Sequence, residues 1–155
     1  MTQEEFASRV TCAQGRMYRV ARGYLHGEHD CLDAISEAIT KAWQKRATLR
    51  NEGLFEPWLT RILIRECVNI QRAQRRVVPM EALPEEAEAP AQNEELRDAL
   101  DSLSQKLRET VVLHYMEGYS EREIAWMLRL PRGTVSSRLH DARLALRKLL
   151  KEEIV

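Results

Sequence analysis

The sequence holds few cysteines, and none of them is paired in a motif. Cys12, Cys31 and Cys67 lie far apart and form no CxxC, so neither a disulfide framework nor a zinc cradle is indicated and buried free thiols are expected. No apolar run approaches the ~20 residues that a membrane-spanning helix needs. The opening MTQEEFASRV is acidic and has no apolar stretch before a small-residue cleavage site, so no secretory signal is read and a cytoplasmic protein is expected. The chain has no phosphate loop, no HExxH and no nucleophile beside a plausible base, which points away from an enzyme, a cofactor or a small-molecule substrate. Alternating apolar residues, the mark of half-buried strands, are missing as well.

Proline and glycine are scarce and unevenly spread. Pro79, Pro84 and Pro90 fall together in VVPMEALPEEAEAPAQNEE beside a run of glutamates, whereas elsewhere only Pro57 and Pro131 occur. Prolines remove donors and like charges repel, so residues 78–92 are expected to form a flexible linker. The net charge of zero conceals segregation: residues 1–78 carry +4, residues 79–101 carry −7, and residues 102–155 carry +3. Two mildly basic helical domains, 1–77 and 93–155, therefore flank an acidic connector. The expected class is all-α.

In the first domain Thr2 and Glu5 make a capping box. Phe6, Val10, Met17, Val20 and Leu25 then form the apolar stripe of a helix ending near Gly27. Asp30 is expected to cap a second helix with the stripe Leu32, Ile35, Ile39 and Trp43. A third runs from about Phe55 to Arg76, with Pro57 tolerated in its first turn. The segment HGEHDC sets His26, His29 and Cys31 close together, but with no fourth ligand nearby it reads more simply as a polar loop before a helix.

In the second domain Asn93 opens a helix bearing Leu96, Leu100 and Leu103, and another carries Leu107, Val111 and Tyr115 up to Gly118. Ser120 and Glu123 box the start of a short helix bearing Ile124, Ala125 and Leu128. After a brief turn at RLP comes a long final helix, and this succession is a helix-turn-helix layout. With about 100° per residue, Val135, Leu139, Ala142, Leu146 and Leu149 share one face. Ser136, Ser137, His140, Asp141 and Leu144 lie around the opposite side. That face offers donors and acceptors to base edges, and Arg132 and Arg143 at its flanks suit phosphates.

Both blocks resemble parts of one family, the bacterial RNA polymerase sigma factors of the extracytoplasmic-function (ECF) class in the sigma-70 family. The resemblance rests on DAISEAITKAWQ and FEPWLTRIL in the first block and on EGYSEREIAWMLRLPRGTVSSRLHDAR in the second. It implies a dissociable, non-catalytic subunit that gives core RNA polymerase its promoter recognition and strand opening. An anti-sigma factor, often membrane-bound, would hold the subunit inactive. By position, Asp33, Ser36 and Glu37 fall on the polymerase-binding helix. Leu49, Arg50 and Asn51, with Trp58, Arg61, Arg65, Asn69 and Arg72 on the following helix, fall where promoter minus-10 DNA is bound. Arg75 and Arg76 extend that set toward phosphates. His114, Arg132, Thr134, Ser136, Ser137, Arg138, His140, Asp141 and Arg143 fall on the minus-35 side. Arg138 borders the core face and has an alternative use, pairing with an acid inside its own domain. Trp58 shares the spacing of Phe55 and Ile62 and fits a buried stripe as well as a DNA contact.

Several positions depart from the family pattern. Ser36 stands where Gln is usual, Leu49 where an aromatic is frequent, and Arg65 and Asn69 where Asn and Asp are common. Arg accepts no hydrogen bond, so base preference at minus-10 need not follow the common pattern. Arg129 stands where Gly is frequent, and a positive φ there would cost about 1 kcal/mol. Ser136 and Asp141 replace what is often a base. Two other readings stay open on sequence alone. One is a stand-alone helix-turn-helix regulator acting without the polymerase; the other is a metal- or redox-responsive sensor built on HGEHDC and Cys67.

Overall fold

The computed structural model describes the backbone of residues 1–76 and 94–154 and the side chains of 1–76 and 95–150. The expected linker, 78–92, lies outside the described residues, as does Asn93. Among the described residues the regular structure is helical, and the chain divides into two compact units.

The first unit holds α1 (Gln3–Arg22), α2 (Glu28–Gln44) and α3 (Phe55–Arg76), with short 3₁₀ turns at Arg46–Thr48 and Glu52–Leu54. Thr2 caps α1 as expected: its hydroxyl accepts from the Glu5 N–H at 3.2 Å, and the Glu5 carboxylate accepts from the Thr2 N–H at 3.0 Å. Such a box satisfies two of the donors that a helix start leaves open and contributes about 1 kcal/mol. One face of each helix meets in a common core. Met17 and Val20 of α1, Cys31 and Ala38 of α2, and Leu59, Leu63 and Cys67 of α3 are almost wholly out of water.

Three local expectations for this unit need correction. The first helix stops at Arg22 rather than near Gly27, because Tyr24 and Leu25 turn inward and are buried. The main-chain oxygen of Tyr24 is taken by the Gln71 side-chain amide at 2.6 Å, so the chain leaves the helix without stranding an acceptor. The second helix starts at Glu28 behind Gly27, and Asp30 is not its cap. Its carboxylate instead accepts from Gln74 at 2.7 Å, tying the start of α2 to the end of α3. Leu32 is 51% exposed and leaves the expected stripe, while Cys31, Ala34, Ile35, Ala38 and Ala42 face the core.

The second unit holds α4 (Glu94–Ser102), α5 (Gln105–Val111), α6 (Glu121–Leu128) and α7 (Arg132–Ile154). α4, α5 and α6 all pack against α7. Val135, Leu139 and Ala142 are buried, and Leu146 and Leu149 pack on the Leu100, Leu103 and Val111 cluster, so the expected anchoring face is the observed one. The second correction of phase falls at Tyr115, which is 52% exposed rather than in the stripe with Leu107 and Val111. A π-helical turn at Val112–Met116 follows α5 and adds a residue to the turn. The extra residue rotates Tyr115 and Met116 outward. Gly118 then reverses the chain at φ 77°, a conformation that favours glycine.

Candidate nucleic-acid interface

Three surfaces are built from the residues singled out in the sequence. On α2, Asp33, Ser36 and Glu37 are all exposed and span about 100° of the helix, with exposed Leu32 at the border of that arc. Asp33 pairs with His29 one turn earlier at 3.4 Å. Cys31 turns the opposite way: it is buried, and its thiol approaches the Leu25 carbonyl at 3.7 Å. His29 and Cys31 therefore do not converge, and among the described residues no group of three or more His, Cys, Asp or Glu side chains is arranged to hold a metal ion.

The second surface comprises the loop before α3 and one stripe of α3. Trp58, Arg61, Arg65, Asn69 and Arg72 fall within about 80° of arc. Arg65, Asn69 and Arg72 are exposed, whereas Trp58 and Arg61 are half-buried. Trp58 serves both readings: its ring lies 5.9 Å from that of buried Phe55, which in turn meets Phe6 edge-on at 5.9 Å. The stripe continues to exposed Arg76, with Arg75 at its border.

In the loop, Arg50 and Asn51 are exposed and Leu49 is half-buried. Asn51 caps the 3₁₀ turn Glu52–Leu54, its side-chain oxygen accepting from the Gly53 N–H at 2.9 Å. That assignment leaves the Asn51 amide nitrogen as the outward donor. A β-carbon at Gly53 would come within 3.1 Å of the Asn51 oxygen, a close contact that would push the Asn51 side chain by a few tenths of an ångström.

The third surface belongs to α6 and α7. Ser120 and Glu123 form the expected capping box, with bonds of 3.1 and 3.2 Å. Arg129 ends α6 in the left-handed region at φ 57°, ψ 47°, the conformation expected for a site where glycine would be favoured. Pro131 then precedes α7. Arg132, Ser137, His140, Asp141, Arg143 and Leu144 are exposed, and Thr134 is half-buried. Arg143 donates from Nε to the Leu139 carbonyl at 3.3 Å, which sets the direction of its side chain.

Three of the sequence-picked residues on this surface are engaged inside the unit. Arg138 is 3.7 Å from Glu109 of α5, and both side chains are largely buried, so the acidic partner anticipated as its alternative use exists. Ser136 donates to Glu121 of α6 at 3.0 Å and ties the two helices of the motif together. His114, in the π turn, donates from Nδ1 to the Tyr119 carbonyl at 2.8 Å, which leaves Nε2 as its outward nitrogen. Glu109 and Glu121 were not legible as partners, because their positions relative to Arg138 and Ser136 depend on how α5 and α6 pack on α7.

Two helical units, one ending in a helix-turn-helix whose last helix exposes a polar face flanked by Arg132 and Arg143, define a protein of the helix-turn-helix class. Residues 10–77 match Sigma-70 region 2 and residues 93–146 match Sigma-70, region 4. The chain is 30% identical over 154 residues to RNA polymerase sigma factor SigV of Bacillus subtilis, covering 94% of this chain and 93% of that protein. It is 32% identical over 140 residues to ECF RNA polymerase sigma factor SigM of Mycobacterium tuberculosis, covering 87% and 71%. Its fold is similar to that of the sigma factor RpoE from Bartonella quintana, solved with the anti-sigma factor NepR: TM-score 0.84, 24% identity, 96% and 98% coverage. It is also similar to CnrH, solved with the cytosolic domain of CnrY: TM-score 0.75, 22% identity, 97% and 90% coverage. The chain belongs to the RNA polymerase sigma factors of the ECF class, in the sigma-70 family.

Proposed function

We propose that this chain binds core RNA polymerase as a dissociable subunit and directs promoter recognition and transcription initiation from the cytoplasm, without catalysing a reaction itself. The observation that carries the proposal is the presence, in one chain and in order, of an exposed acidic helix face, a basic loop-and-helix surface and a helix-turn-helix. Residues 1–77 act as the domain for core and minus-10 binding, and 93–155 as the minus-35 domain, joined by 78–92. Asp33, Ser36 and Glu37 meet basic side chains of the polymerase, for which an exposed acidic helix is suited. Leu49, Arg50 and Asn51 receive an unstacked base, and Arg65, Asn69 and Arg72 track the strand that carries it. Thr134, Ser137 and His140 read base edges while Arg132 and Arg143 hold phosphates. An anti-sigma factor of the kind solved with the Bartonella quintana RpoE covers these faces and keeps the subunit from the polymerase.

Equilibrium binding of purified core polymerase tests the proposal most simply. The double change Asp33→Lys, Glu37→Lys should weaken core binding by roughly 100-fold, as expected when two attractive charge contacts become repulsive, and leave the fold intact. Specific duplex binding by the free chain with no affinity for core would instead favour the stand-alone regulator.

A further inference from the structure

α1 carries two arginines that promoter recognition as described leaves unused. Arg9 and Arg16, seven residues apart, lie on one face of the helix and reach across to the segment that precedes and opens α3. Arg9 donates from Nη1 to the main-chain carbonyl of Glu52 at 2.9 Å, and its Nη2 lies 3.4 Å from the Glu52 carboxylate. Its guanidinium also stands 5.6 Å from the centre of the Phe55 ring. Arg16 pairs with the Glu56 carboxylate. One side chain thus holds the 3₁₀ turn by its backbone, by its carboxylate and by the ring that starts the next helix. Asn51 caps that same turn.

We propose that Arg9 is a positioning residue for the strand-capturing loop. It keeps the Glu52–Leu54 turn formed before DNA arrives, so that Leu49, Arg50 and Asn51 are presented as a preset receptor. A loop that must be ordered at each encounter binds less tightly, because the ordering entropy is charged against affinity. Arg9 and Arg16 together also neutralise Glu52 and Glu56, two carboxylates that would otherwise repel a phosphate strand running along Arg65 and Arg72. The backbone contact is the decisive one: a lysine keeps the charge but cannot span the carbonyl and the carboxylate with one planar fork. The inference rests on the assignment of this loop to minus-10 DNA.

Its test uses full-length protein assembled with core polymerase on a promoter identified from transcript starts after overexpression. Strand opening is read by permanganate reactivity of unpaired thymines, alongside core affinity and binding to a minus-35 duplex. Arg9→Ala should lower strand opening roughly tenfold, Arg9→Lys should restore only part of it, and Glu52→Gln, which keeps the carbonyl contact, should have little effect. Core affinity and minus-35 binding should be unchanged in all three. Unchanged opening in Arg9→Ala, full restoration by Arg9→Lys, or a parallel fall in core affinity would overturn the proposal. Arg65→Ala with Asn51→Ala separates the two failures. If that pair lowers opening and Arg9→Ala does not, the positioning role alone is wrong. If neither variant lowers it, the loop assignment is wrong and the positioning role goes with it.

Discussion

Asp141 is the residue whose charge is hardest to reconcile with a DNA-facing helix. It is exposed on α7 between His140 and Arg143, with no cation bridged to it among the described residues, so its negative charge faces whatever that surface meets. Replacement by alanine should tighten duplex binding by about two- to fivefold across sequences, the scale of one exposed charge contact. Fluorescence anisotropy over a series of operator variants and salt concentrations checks this. A loss of preference at a single base pair would show instead that Asp141 accepts a hydrogen bond from a cytosine amino group. Cysteines give a second residue-scale test. Cys12 is exposed, whereas burial pushes the Cys31 thiol up and the Cys67 thiol up to about 12 from 9.0. The folded chain therefore holds the Cys67 proton more tightly than the unfolded one, and this contribution to stability falls as pH rises from 9 toward 12. At pH 8 a thiol reagent should label Cys12 in the native protein and reach Cys31 and Cys67 only on unfolding. Early labelling of Cys67 would contradict its placement.

Elements were legible in the sequence wherever a cap and an unbroken stripe agreed. The Thr2 and Ser120 boxes, the start of α3 and the anchoring face of α7 follow directly from residue spacing. The failures share a physical cause: tertiary contacts moved a boundary or a phase. Burial of Tyr24 and Leu25 ended α1 early, and the π turn rotated Tyr115 out of a stripe that ideal α spacing would have kept inside. Neither event leaves a trace in local spacing. The candidate surfaces were legible residue by residue, but their internal ties were not. Arg138 with Glu109, Ser136 with Glu121, and Arg9 with Glu52 each join residues on different helices or on a helix and a distant loop. Arg129 belongs to this scale too, because it sets the turn between α6 and α7. Its φ of 57° is the sole positive value at a non-glycine among the described residues. Arg129→Gly should stabilise the protein by about 0.5 kcal/mol, the relief of left-handed strain less the entropy that glycine adds to the unfolded chain. Chemical denaturation measures it, and a destabilised variant would mean that the arginine makes compensating contacts.

At the scale of the molecule, each unit is held together by its own core, and the surfaces proposed for polymerase, minus-10 and minus-35 DNA are divided between them. A protein built this way gains specificity by engaging two DNA elements at once, so binding by either unit alone should be weak and salt-sensitive. Separating the two promoter elements by five additional base pairs should abolish transcription while leaving each unit's own DNA contact intact, because half a helical turn moves one element to the other side of the duplex. Footprinting of both elements on the altered promoter checks this. The most direct measurement is run-off transcription with purified core polymerase, with and without this chain, on the promoter upstream of its own gene. The expected result is a defined transcript that requires the chain and is lost with Asp33→Lys, Glu37→Lys. A transcript of equal yield without the chain, or none with it although core binding is intact, would contradict the assignment of promoter recognition to these two units.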